Sequence, residues 1–182
     1  MKKTYLEYQE TGIPWPQAIP SNWELAKISN VFIERRETVS DRDYQPLSVT
    51  MGGIVPQLET AAKTDNGDNR KKVVEGDFVI NSRSDRKGSG GVSPLTGSVS
   101  VINTVLQPLQ DKISSGFCDY LMTNYYFQEE FYRYGKGIVD DLWSTKYSNM
   151  KGMYLPLPPL PEQRPIAAYL EPKCPLITTF IT

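Results

Sequence analysis

Histidine is absent from the 182 residues of this chain, and no other feature of its composition removes so much chemistry. Without an imidazole there is no histidine general base, no Ser-His or Cys-His pair and no His-containing metal site. Cysteine is almost as scarce. Cys118 and Cys174 do not make a disulfide framework, and neither has a histidine partner that would turn it into a nucleophile. An excess of charge of either sign is also missing: 20 basic residues face 21 acidic ones, so the whole molecule exerts no net pull on nucleic acid, although a local basic patch remains open. No apolar run approaches membrane-spanning length, and the residues after Met1 lack the apolar core of a signal peptide. An intracellular soluble protein without a membrane segment is expected. What is present is 39% apolar and 11% aromatic residues, enough for the core of one domain.

Residues 1–22 carry Pro14, Pro16 and Pro20 and read as an extended arm pinned by Ile13 and Trp15. The pattern over 23–33 predicts a strand followed by a short helix, and Pro46–Thr50 a short strand punctuated by Gly52 and Gly53. Polar residues 59–72, with the turn Asp65–Asp68, predict a loop before Val73. Glu75–Asp77 reads as a turn, Phe78–Ile80 as a strand, and Asn81–Gly91 as a long polar, glycine-rich loop. Val92–Leu95 and Val99–Leu106 resume strand-like sequence. Asp119–Tyr134 has the length and spacing of one helix, with Cys118 before it and Gly135 and Gly137 stopping it. Ser144–Met150 has room for one or two helical turns. Pro156, Pro158, Pro159 and Pro161 then form a stiff lead-in to a helix beginning near Glu162, where Ile166 and Leu170 share one face. Together these elements predict one α+β domain with a mixed or antiparallel β core and a few packed helices. The divisions are 1–22 for the arm, 23–155 for the domain, and 156–182 for a proline-rich exit into a short or truncated C-terminal helix.

Three stretches are candidates for function. Arg83, Ser84, Arg86 and Lys87 offer phosphates charge-assisted donors and a guanine a bidentate fork, and Gly88, Gly90 and Gly91 would let the backbone approach a duplex; a solvated hairpin loop explains the same residues. The spacing is not that of a phosphate-binding P-loop. Arg70, Lys71 and Lys72 form the densest basic run, read equally as an exposed strand start. Arg133, Lys136, Lys146 and Lys151 form another set, with Tyr132, Tyr134 and Tyr147 either lining a nucleic-acid surface or packing inside. Asp140 and Asp141 beside Trp143 are adjacent carboxylates, which need not face a common space. A metal-dependent DNA-processing site would need more acids to converge, drawn from Asp41, Asp43, Asp77, Asp85 and Glu129. No catalytic residue and no metal site is expected.

Four blocks in order resemble the specificity (HsdS) subunit of type I restriction–modification systems. They are YQETGIPWPQAIPSNWE (8–24), EGDFVINSRSDRKGSGGVSP (75–94), FYRYGKGIVDDLWSTKY (131–147) and LPPLPEQRPIAAYL (157–170). The resemblance implies a single target-recognition domain that reads one half of a bipartite double-stranded DNA target, non-catalytic by itself, in a bacterial or archaeal cytoplasm. It implies modification (methyltransferase) subunits as partners and, through them, a restriction motor subunit. S-adenosylmethionine, ATP and Mg are then expected only on those partners, and no cofactor on this chain. Glu162, Gln163, Ile166 and Leu170 mark the junction to the family's spacer helix. Pro172 and Pro175 depart from the pattern, since each proline inside a helix costs about 3 kcal/mol. A homodimer of half-subunits through that helix is disfavoured accordingly. The other open reading is an interaction remnant that keeps the fold without binding DNA.

Overall fold

Phe78-Val79-Ile80 is apolar without alternation, which suits a strand covered on both faces, and the structure covers it so. The computed structural model describes residues 5–59, 67–137 and 143–174. Its strands are β1 (Tyr8–Glu10), β2 (Ala18–Pro20), β3 (Glu24–Lys27), β4 (Phe32–Glu34), β5 (Thr38–Val39), β6 (Leu47–Thr50), β7 (Gly53–Pro56), β8 (Arg70–Val73), β9 (Phe78–Asn81), β10 (Gly90–Val92), β11 (Gly97–Ser100), β12 (Asn103–Pro108) and β13 (Tyr154–Leu157). Its helices are α1 (Ile28–Val31), α2 (Ser115–Thr123), α3 (Tyr125–Arg133), α4 (Tyr147–Met150) and α5 (Leu160–Leu170), with a 3-10 turn at Ser84–Arg86. The class is α+β, as expected.

The central sheet has the order β10-β9-β12-β4, and β11-β8-β5 forms a second; β1-β2, β3-β13 and β6-β7 are two-stranded. All pairings between these strands are antiparallel. The alternation of strand side chains divides the core in two. Phe78, Ile80 and Leu106 face a cluster with Ile28, Phe32, Phe117, Met122, Phe127, Phe131 and Leu155. Val79 and Val105 face a smaller cluster with Leu47, Ile54, Val73 and Val99. Burying a side chain such as Phe78 contributes about 1.5–3 kcal/mol. Beside the sheet, Arg35 holds the buried Asp77 by two hydrogen bonds of 2.6 and 3.0 Å, and the Val74 amide donates to the same carboxylate at 2.8 Å.

Several local expectations are corrected. The arm contains the β1–β2 hairpin, with Ile19 buried and Trp15 against the main core. Of the two readings of residues 70–72 the strand start holds and the loop does not, because β8 lies between β5 and β11; Arg70 is buried there rather than exposed. Val99–Leu106 divides at a turn, so that β11 and β12 enter different sheets. The single helix over 119–134 is two helices. Asn124 has extended backbone (φ −69°, ψ 156°), and its side chain caps α3 by accepting from the Phe127 amide. Cys118 lies inside α2, buried, and burial pushes its thiol pKa up. In the proline-rich lead-in, β13 pairs with β3 and sets Pro156 opposite Leu25, in a two-stranded sheet where a missing N–H is tolerated. The Asp65–Asn66 part of the expected turn, Asp140 and Asp141, and Pro175 with the tail after it lie outside the described residues.

Candidate nucleic-acid interface

The loop after β9 is folded. The Asn81 side chain accepts from the Arg83 amide at 3.0 Å, the Arg86 and Lys87 amides bond back to Arg83 and Ser84, and the Ser89 amide bonds to the Arg86 carbonyl. Gly88 turns the chain at φ 81°. Gly90 and Gly91 do not serve approach to a duplex, as the sequence had suggested. They are buried strand residues, and a Cβ on Gly90 would lie 2.9 Å from the Val79 carbonyl oxygen. Arg83, Arg86 and Lys87 are exposed, yet none is alone. Asp85 pairs with Arg83 at 3.1 Å and with Arg86 at 3.8 Å, and Glu129 pairs with Lys87. Lys87 also lies over the ring of Tyr132, 5.5 Å from its centroid, and burial raises the Tyr132 pKa to about 12.

Residues 143–145 tie this loop to the other basic set. The Ser84 amide donates to the Trp143 carbonyl at 3.1 Å and the Thr145 amide to the Ser82 carbonyl at 2.9 Å. Ser144 exchanges backbone bonds of 3.0 and 3.1 Å with Lys136, and it also bridges to Arg83. The Trp143 indole donates to the Tyr132 carbonyl at 2.9 Å. Arg83, Lys136 and Lys146, separate in sequence, therefore share one strip of surface. Arg133 is turned into an ion pair with Glu130, and Lys151 lies beyond α4, where its carbonyl accepts from Ser29.

Three adjoining clefts open along this strip. One of about 310 Å³ has Glu34, Lys71, Ser82, Arg83, Thr104, Ser144, Lys146 and Tyr147 in its walls, with Val101 and Ile102. A second, about 370 Å³, shares Lys71, Val101 and Lys146 and adds Arg36. The third, about 520 Å³, shares Ile102 and is bounded by Ser48, Asn81, Asp85, Arg86, Lys87, Ser89 and Asn103, with Arg70 at its base. Seven basic residues (Arg36, Arg70, Lys71, Arg83, Arg86, Lys87 and Lys146) line the three clefts against two acidic ones, Glu34 and Asp85. The whole chain balances 20 against 21, so the excess is local. Burial lowers the Lys71 pKa and raises that of Tyr147. A larger cleft of about 780 Å³ lies elsewhere, between Tyr5–Glu7 and α5, and its charged residues are Glu7 and Glu162, which would repel a phosphate.

The run 70–72 is divided by strand alternation. Arg70 is buried, donating to the Ser98 hydroxyl at 2.8 Å and the Ser98 carbonyl at 3.1 Å. Lys72 pairs with Glu37 at 2.9 Å and lies 5.0 Å from the Tyr44 ring centroid. Lys71 points the other way, into the two clefts that it shares with Lys146, while Arg70 lies at the third, and it donates to the Asn103 carbonyl at 2.7 Å. Arg36 and Ser144, absent from the sequence candidates, join the site; Ser144 lies within the block 131–147 without having been singled out, and no motif covers Arg36. Among the described residues no group of three or more His, Cys, Asp or Glu converges as a metal site would require. Asp77, Asp85 and Glu129 instead accept from Arg35, Arg83 and Lys87.

At the junction, Gln163 is fully buried, accepting from the Ser114 amide at 2.8 Å and donating to the Lys112 and Pro158 carbonyls at 2.8 and 3.0 Å. Glu162 accepts from the Tyr5 hydroxyl at 2.9 Å and the Asn22 amide group at 2.6 Å. Ile166 and Ala167 pack on the main core, while Leu170 ends the helix half-buried. The inner face of α5 thus docks on its own domain. Pro172 follows immediately, within a turn at 171–173.

No family model and no curated protein sequence matches the chain. Solved structures do. The HsdS subunit from Thermoanaerobacter tengcongensis superposes with a TM-score of 0.68 at 16% identity, over 91% of this chain and 45% of that one. The fold is the one seen in type I S subunits. A chain from a structure of the type I R-M system, described for its complex assembly and conformational transition, gives 0.59 at 18% identity over 92% of this chain and 42% of that one. The type I restriction–modification S subunit from M. genitalium gives 0.56 at 17% identity over 82% and 38%. This chain therefore spans less than half the length of each of these three chains. Among its described residues no helix is long and apolar enough to cross a membrane.

Proposed function

We propose that this chain is the target-reading part of a type I specificity subunit, recognising one half of a bipartite duplex site in the cytoplasm of its cell. The observation that carries the reading is the local excess of basic side chains along the three clefts, on a fold shared with S subunits. Arg86, Lys87, Lys136 and Lys146 supply phosphate contacts, which set affinity and register. Arg83, which lines the 310 Å³ cleft and keeps about half of its side chain exposed, is assigned to a base edge. Methyl transfer, with its S-adenosylmethionine, and ATP hydrolysis, with its Mg, belong to modification and motor subunits that this chain directs. Asp85 and Glu129, which neutralise part of the basic loop, favour the second reading, an interaction domain that has lost DNA binding.

Co-purification with a modification subunit, then selection of duplexes from a random library at fixed salt, separates the two readings. An enriched half-site is expected, with a log–log salt slope of about −0.9 per neutralised phosphate. Capture of the partner with no duplex bound at low salt establishes the interaction-only reading instead. Arg83→Ala is expected to lower affinity for the selected site about 10- to 100-fold and to relax one position within it. Equal weakening on every sequence reassigns Arg83 to phosphate.

A further inference from the structure

We infer that the turn Val101–Ile102 is a base-reading tip that recognises thymine methyl groups in the major groove; this rests on the DNA-reading role proposed above. Turn positions ordinarily take Gly, Asn, Asp, Ser or Pro, because those side chains suit the backbone or solvate it. Here two β-branched apolar residues occupy the turn between β11 and β12, with 45% and 42% of their surface exposed. A single exposed apolar residue is ordinary. This pair differs in its position, because Ile102 forms a wall shared by the cleft of Arg83 and Lys146 and the cleft of Arg86 and Lys87. The tip is thus an apolar ridge with cations on both flanks, complementary to a groove floor between two phosphate backbones. It is also held in place. The Asn103 side chain donates to the Ser100 carbonyl at 3.1 Å across the turn, and Lys71 binds the Asn103 carbonyl at 2.7 Å. The thymine C5-methyl is the apolar group that the major groove presents. Both side chains are about half covered, so they offer a face to a methyl rather than the length needed to wedge between base pairs.

The test uses the full chain with its modification subunit and two random duplex libraries, one containing thymine and one built with deoxyuridine, which lacks only the methyl. Wild-type protein is expected to enrich a thymine-containing half-site and to bind its uracil counterpart about fourfold more weakly for each methyl contacted. The double variant Val101→Ser, Ile102→Ser is expected to bind both forms alike with an unchanged salt slope, measured well below a melting temperature that the loss of two half-covered apolar side chains lowers modestly. Equal wild-type affinity for the two forms, a ratio that survives the double substitution, or a wild-type complex kinked by an inserted side chain overturns the inference and leaves the DNA reading intact. Absence of duplex binding by wild type overturns both.

Discussion

Gln163 shows at the scale of one residue how a junction becomes a clasp. Its amide has three partners in two segments: Lys112 and Ser114 in the stretch before α2, and Pro158 in the lead-in to its own helix. The sequence marks Gln163 as part of a motif, but a glutamine in a helix reads as a surface residue until its neighbours are known. A buried amide with three partners is worth far more than its propensity. Gln163→Ala is expected to destabilise the fold by about 2–4 kcal/mol, read as a lower urea midpoint with an unchanged slope, because it strands one amide and two carbonyls. Arg164→Ala, one residue on and exposed, is expected to stay within about 0.5 kcal/mol of wild type. Asp77 follows the same logic. In the sequence it is one acid among 21, and in the structure it is the buried partner of Arg35.

Elements were legible where periodicity was strong and ambiguous where one residue decides a boundary. The strands at 47–50 and 78–81 and the helix at 160–170 follow from their own residues. The division of the expected long helix does not, because Asn124 is tolerable inside a helix and decisive only as a cap. Its side chain accepts from the Phe127 amide at 2.9 Å and donates to the Leu121 carbonyl at 2.6 Å, closing one helix and opening the next. The break also rotates the second helix, so that Phe127 and Phe131 face the core and Tyr125 and Tyr126 face solvent. Asn124→Ala is expected to cost about 1 kcal/mol in chemical denaturation, and Asn124→Ser about half of that or less, since serine also caps. The turn at 101–102 was hidden for the opposite reason. Val101 and Ile102 continue a β-branched run, and only the pairing of β11 and β12 into different sheets divides it.

At the scale of the whole molecule, charge balance and charge distribution say different things. A near-neutral chain presents a basic face because its acids lie elsewhere or are engaged, as Asp77 is by Arg35 and Glu130 by Arg133. The face is still tempered by acids within it. Asp85 is half-exposed between Arg83 and Arg86, so Asp85→Asn is expected to raise duplex affinity up to about fivefold at low salt, with the gain fading as salt screens it. Fluorescence-anisotropy titrations of one duplex at two salt concentrations check this. A drop in affinity at both salts would mean that Asp85 orients the arginines rather than competing with DNA for them.

The string of residues was sufficient to exclude histidine chemistry, to set the order of most elements and to place a helix after the prolines, because each of these depends on composition or on neighbours close along the chain. It also marked an end to the helix near Leu170, since a proline removes a backbone donor and crowds the preceding turn; α5 holds Pro165 in its interior but ends before Pro172. Long-range pairing decided the rest. Residues 143–145 laid against Ser82–Ser84 and Lys136 draw Arg83, Lys136 and Lys146 onto one strip, and strand alternation sends Lys71 into two of the clefts while burying Arg70. A basic surface assembled from segments tens of residues apart has no local signature, because the hydrogen bonds that build it form between backbones whose side chains carry no record of the pairing.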